Sequence, residues 1–167
     1  WDSTNVKLIV SRDRLLQTST HALLHMRVWD ARSHSFGVTF EDEVGIGTGP
    51  VREFFQLAAQ AYLSPEAGLF VLTPDGSAYH PLGGVHTQLQ KGHMEAFGRL
   101  LGLALRRGVL VGVHLSRVLI RGALDAPLCF DDLQDVDPDL HRNLKWLLDT
   151  EAAAEDLNTV FAVDEQD

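Results

Sequence analysis

Gly49-Pro50-Val51-Arg52-Glu53-Phe54-Phe55-Gln56-Leu57-Ala58-Ala59-Gln60-Ala61-Tyr62 decides the reading of this chain. Val51, Phe54, Phe55, Ala58, Ala61 and Tyr62 recur at helical spacing, so one face is apolar and the stretch predicts a core helix. Pro50 suits its first position, because proline lacks the N–H that an opening turn leaves unpaired. Upstream, Phe36, Val38 and Phe40 alternate with Gly37 and Thr39, the period of a half-buried strand. Before that, a helix is expected from residue 11 to about 26, with Ser11 as N-cap and Leu15, Leu16, Ala22, Leu23 and Met26 turned inward.

Downstream, Ser64-Pro65 ends the core helix. Leu69-Phe70-Val71-Leu72 reads as a short strand, and Thr73-Pro74-Asp75-Gly76 as the turn that leads back to Tyr79 in a hairpin. A third helix is expected from about residue 91 to 107, with Phe97, Leu100, Leu101, Ala104 and Leu105 as its stripe. Gly98 and Gly102 lie four apart there and would let another element approach the backbone. Helical patterns follow at about residues 114–123, from Asp131, and from Asp137-Pro138, where an N-cap and a first-position proline coincide. Leu140, Leu144, Leu147 and Leu148 are expected to bury the last helix, and residues 159–163 to form a final strand. The sum is a predominantly helical α+β fold with short antiparallel strands and hairpins, one domain over residues 1–167.

Composition narrows the function. The chain has 167 residues, enough to bury roughly 68–70% of its unfolded surface, so a core forms without staples. Its 23 Asp and Glu against 14 Lys and Arg give a net charge of -9, and the bases are scattered, which argues against nucleic-acid or anionic-membrane partners. With one cysteine and no leader-like opening, a reducing compartment, cytoplasmic or nuclear, is expected.

Motifs for small-molecule chemistry fail one by one. Gly45-Ile46-Gly47-Thr48-Gly49 has Pro50 where a dinucleotide fingerprint needs glycine, and Glu41, Asp42 and Glu43 would repel a pyrophosphate. His21 and His25 stand four apart, as two zinc ligands would, but Ala22 replaces the general-base Glu of a metalloprotease and no spacing supplies a third ligand. No metal and no cofactor is expected. Cys129, in Leu128-Cys129-Phe130, reads as a packed structural cysteine. Glu53 and Arg99 adjoin apolar runs; Arg99 pairs with Glu95 one turn earlier, and both residues are candidates for a buried network tying helices together.

Taken together, Gly49-Pro50-Val51-Arg52-Glu53-Phe54-Phe55, Gly68-Leu69-Phe70 and Phe97-Gly98-Arg99-Leu100-Leu101-Gly102-Leu103-Ala104 resemble the opening half of HECT-type ubiquitin ligase catalytic domains. The stretch from Asp131-Asp132-Leu133 through Asp137-Pro138 to Asn143-Leu144-Lys145-Trp146-Leu147-Leu148 agrees in order, as does Val160-Phe161-Ala162-Val163-Asp164-Glu165. The resemblance implies a two-lobed enzyme that accepts ubiquitin from a conjugating enzyme onto a cysteine and passes it to substrate lysines. It places that cysteine in a second lobe, so this chain should be the large subdomain of the first lobe, a scaffold without a catalytic residue. Gly49, Glu53, Phe54, Phe55, Gly98, Arg99, Gly102, Asp137 and Pro138 are then its structural motif. Some relatives bind a second ubiquitin through an aromatic residue before Gly-Leu-Phe; here that position is Ala67, leaving Leu69 and Phe70 to supply an apolar patch. A binding module for ubiquitin or another protein, with no chemistry, is the alternative.

Overall fold

The computed structural model describes residues 6–27, 35–43, 49–84 and 86–150. The chain divides into two compact units, one of Trp1–Phe70 with His86–Val113 and the other of Val71–Val85 with His114–Asp167.

The first unit opens with a strand that alternation had not disclosed, β1 (Val6–Val10). It pairs with β2 (Phe36–Phe40) in parallel, Val6 opposite Phe36 and Val10 opposite Phe40. Antiparallel strands were expected; the reason for the difference is α1 (Leu15–His25), which lies in the connection and supplies the long crossover that parallel pairing needs. Leu8, Val10, Val38 and Phe40 turn inward on this small sheet. Ser11 does not cap α1. The residue before the helix is Arg14, and Ser11 instead donates its N–H to Thr18 Oγ1 at 3.1 Å, closing the turn between β1 and α1.

The quoted stretch forms α2 (Gly49–Leu63), which buries Phe54, Phe55, Ala58, Ala59, Tyr62 and Leu63. A 3-10 turn (Pro65–Ala67) follows and ends at Gly68, whose φ of 60° is the left-handed conformation that glycine adopts without strain. The Gly68 carbonyl accepts from Gln90 Nε2 at 3.1 Å, tying this turn to the start of α3 (Gln88–Arg107). That helix begins earlier than periodicity suggested, because Thr87 and Gln90 form a reciprocal capping box. Its buried stripe is His93, Ala96, Phe97, Leu100, Leu103 and Ala104, rotated from the expected one so that Leu105 faces solvent. The aromatic core joins three elements: Phe97 lies 5.6 Å from Tyr62 and 5.1 Å from Phe70, centroid to centroid.

Gly98 and Gly102 do not receive a neighbouring backbone. A Cβ at either would meet nothing within 4 Å among the described residues. In a helix interior such glycines cost conformational entropy without a compensating contact. Gly98→Ala and Gly102→Ala are each expected to raise the unfolding free energy by about 0.5–1 kcal/mol in urea titrations. A lowered midpoint would mean that something does seat on this face.

β3 (Phe70–Leu72), whose first residue belongs to the first unit, forms a two-stranded sheet with β4 (Tyr79–Pro81) of the second. The turn between them is the expected one: Gly76 N–H donates to Thr73 O at 2.7 Å, and Asp75 Oδ1 accepts from Thr73 Oγ1 and Ser77 N–H. Those donors hold the Asp75 carboxyl down at about 2. The helix expected over residues 114–123 shortens to α4 (Arg117–Ala123), because Ser116 caps it by accepting from Leu119 N–H at 3.2 Å. His114 and Leu115 instead run beside Tyr79. After a 3-10 turn (Phe130–Asp135), α5 (Pro138–Asp149) starts where Asp137 accepts from Leu140 N–H at 2.9 Å and Pro138 occupies an opening position.

The leucines of α5 bury it only in part, with Leu144 and Leu147 half-buried. Leu140 is 44% exposed and Leu148 74%, and His141 is the buried residue of this helix. α5 rests on the 3-10 turn through His141, whose ring is 4.7 Å from that of Phe130. Among the described residues no helix is long and apolar enough to cross a membrane. The strand expected at residues 159–163 lies outside the described residues, as do positions 45–48 of the glycine loop. The architecture is α+β, mostly helical with short strands in small sheets.

Candidate functional site

A covalent ubiquitin carrier needs a nucleophilic cysteine, and Cys129 is the sole cysteine of the chain. It is not packed, as the apolar neighbours Leu128 and Phe130 had suggested, but exposed at the start of the 3-10 turn. Its neighbour is a carboxylate. Cys129 N–H donates to Asp132 Oδ2 at 2.8 Å and its S–H to the same oxygen at 3.2 Å, while Arg121 donates to Oδ1 at 3.1 Å and to Pro127 O at 2.6 Å. The Cys129 N–H and S–H, with the Arg121 charge, hold the Asp132 carboxyl below its usual range. An acid so stabilised in its ionised form is a weak base, so it cannot draw a proton from the thiol as an imidazole would. The cluster positions a loop. A Cys-x-x-Asp spacing before a helical turn, with the acid at its third position, is the readable sign of this cap.

Leu69 and Phe70 do not form the expected ubiquitin patch. Leu69 is 0% exposed and Phe70 8%, because both follow the Gly68 turn into the aromatic core beside Phe97. Exposure begins one residue later, at Val71 (43%) and Leu72 (52%).

Glu53 and Arg99 are exposed rather than buried, yet each ties elements together. Arg12 donates to both Glu43 oxygens and, at 2.9 Å, to Glu53 Oε1, with its guanidinium 3.9 Å over the Phe40 ring. This joins the end of β2 to the first turns of α2. The Arg12 charge keeps the Glu43 carboxyl below its usual range. Arg99 pairs with Glu95 at 2.7 Å, as the helical spacing required, and also donates to Leu23 O at 3.0 Å and Leu24 O at 2.7 Å. Those are last-turn carbonyls of α1, which the helix itself leaves without donors. Arg99 is thus a cross-helix C-cap, a role no local spacing discloses.

A buried polar junction was invisible in the sequence. Tyr62 Oη lies 3.1 Å from Ser19 Oγ and 2.9 Å from Thr20 Oγ1, and Thr20 Oγ1 is 2.8 Å from His93 Nδ1 and 2.7 Å from Leu16 O. Thr20 has one proton, and the Leu16 carbonyl accepts it; Tyr62 and His93 therefore donate to the threonine oxygen, and His93 carries its proton on Nδ1. Burial holds the His93 ring below its ordinary value and the Tyr62 phenol above its own, so both groups are neutral. The junction pins α1, α2 and α3 at one point. No substrate group or bound reactant is implied by it. Among the described residues no group of three or more His, Cys, Asp or Glu gathers at one point.

Comparison with known proteins agrees with the motifs. Residues 56–167 match the HECT-domain (ubiquitin-transferase) family. The E3 ubiquitin-protein ligase HACE1 of Danio rerio is 29% identical over 160 residues, 94% of this chain and 17% of that protein. HACE1 of Mus musculus is 28% identical over 165 residues, 97% of this chain and 18% of that protein. The E3 ubiquitin-protein ligase HECW1 of Mus musculus is 29% identical over 165 residues, 96% of this chain and 10% of that protein. The chain therefore spans less than a fifth of each of these relatives. With most of its length matched and the motifs in order, this chain belongs to the HECT-domain ubiquitin-transferase family.

Proposed function

We propose that this chain is the large subdomain of the first lobe of a HECT-type ubiquitin ligase, a scaffold that holds the reacting parts of its parent in register. The parent accepts ubiquitin from a conjugating enzyme by transthiolation: a ligase thiolate attacks the thioester carbonyl and the conjugating enzyme's thiolate leaves. A substrate lysine amine then attacks the new thioester, an amide bond forms, and the ligase thiol is released. Ubiquitin, a conjugating enzyme and protein substrates are its partners, in the cytoplasm or nucleus. No metal or cofactor takes part.

The observation that carries this reading is the pairing of Cys129 with the Asp132 carboxylate, which Arg121 also contacts, inside a chain of this family. The acceptor at that sulfur is this carboxylate, a weak base. In the complete parent ligase, Cys129→Ser is expected to leave ubiquitin transfer at the unsubstituted rate, since serine keeps the N–H and the side-chain donor to Asp132. Single-turnover discharge of a charged conjugating enzyme measures this. Abolished discharge would make Cys129 the nucleophile and end the proposal.

A further inference from the structure

His21 and His25 sit one turn apart on α1, and both are exposed. Their rings stack, with centroids 4.1 Å apart and planes inclined by 28°. Nδ1 of His25 lies 2.8 Å from the backbone oxygen of His21. A carbonyl only accepts, so this contact puts a proton on Nδ1 and leaves Nε2 as the lone-pair nitrogen of the neutral ring. A histidine that donates one ring nitrogen to a carbonyl while the other points outward is in the state in which histidines ligate metals. His25 also occupies the last turn of α1, where the carbonyl ends of the helix favour a cation. Arg99 already places a charge near that end, but Glu95 balances it at 2.7 Å.

We propose that His21 and His25 form a two-imidazole chelate for a divalent transition ion such as Ni2+ or Zn2+, with the remaining positions held by water. Residues four apart on a helix have Cβ atoms about 5–6 Å apart, a span that one ion at about 2.0–2.1 Å from each nitrogen bridges once the rings turn toward it. Borderline ions suit imidazole, whereas Mg2+ keeps oxygen ligands and its own water. The stacking and the fixed His25 tautomer are what sequence spacing alone leaves open.

Calorimetric titration of the chain at neutral pH with Ni2+, Zn2+ and Mg2+ tests the assignment. Ni2+ is expected to bind at least as tightly as Zn2+, following the usual order for divalent ions, and Mg2+ not at all. His21→Gln and His25→Gln are each expected to weaken Ni2+ binding by roughly tenfold or more, as loss of one ligand from a chelate does, and the double variant to remove that site. Both positions are exposed, so circular dichroism of each variant should match the unsubstituted chain. Ni2+ binding that survives in the double variant, or that neither single variant weakens, would overturn the proposal, as would the absence of binding at millimolar Ni2+.

Discussion

Replacing Phe97 with alanine is expected to lower the unfolding free energy of the first unit by about 3–5 kcal/mol, the cost of removing a buried phenyl ring and leaving a cavity. The ring is almost wholly buried and sits between Tyr62 of α2 and Phe70 at the start of β3, both in aromatic contact with it. Two elements thus lose a common partner. Against a total stability of roughly 5–15 kcal/mol, that loss is a large fraction. Urea unfolding followed by circular dichroism would show it as a lowered midpoint with an unchanged slope. A loss under about 1 kcal/mol would mean that the ring is not the centre of this core. Phe97→Leu keeps much of the volume and should cost clearly less.

Tyr62→Phe is the second large effect, because it removes one oxygen and nothing else. That phenol donates to Thr20 and accepts from Ser19 in a buried site, so its loss leaves two hydroxyls with fewer partners, at a cost of about 1–3 kcal/mol. Thr20→Val breaks the same junction from the other side and also deprives His93 of its acceptor. If the groups act as one network, the double variant costs less than the sum of the singles by about 0.5–3 kcal/mol. Strict additivity would show that the three helices are held by packing alone and that the junction contributes nothing of its own.

Legibility followed the range of the interactions. The Asp137-Pro138 start of α5, the Thr73-Gly76 turn and the Arg99-Glu95 pair were all readable, because each closes within a few residues and has a fixed spacing. The Thr87-Gln90 capping box is equally local, but it lies upstream of the apolar stripe by which periodicity marks α3. What no local rule could supply is partnering across tens of residues. The parallel pairing of β1 with β2 depends on a crossover, and the Thr20-His93 bond joins positions 73 apart. Cys129 shows the remaining gap. Its flanking Leu128 and Phe130 are apolar by type, yet both are exposed, so neighbours in sequence were a poor guide to the environment of the sulfur. At Leu69 and Phe70, where the resemblance implies a surface patch, the Gly68 turn sends both side chains inward.

The account rests on the chain having no acyl-carrying nucleophile of its own. Incubating it with ubiquitin, activating enzyme, a charged conjugating enzyme and ATP, then separating the products without reductant, reads this directly. The expected result is no ubiquitin adduct on the chain, while the conjugating enzyme stays charged. A ubiquitin adduct that thiol reductant removes and Cys129→Ala abolishes would contradict the account.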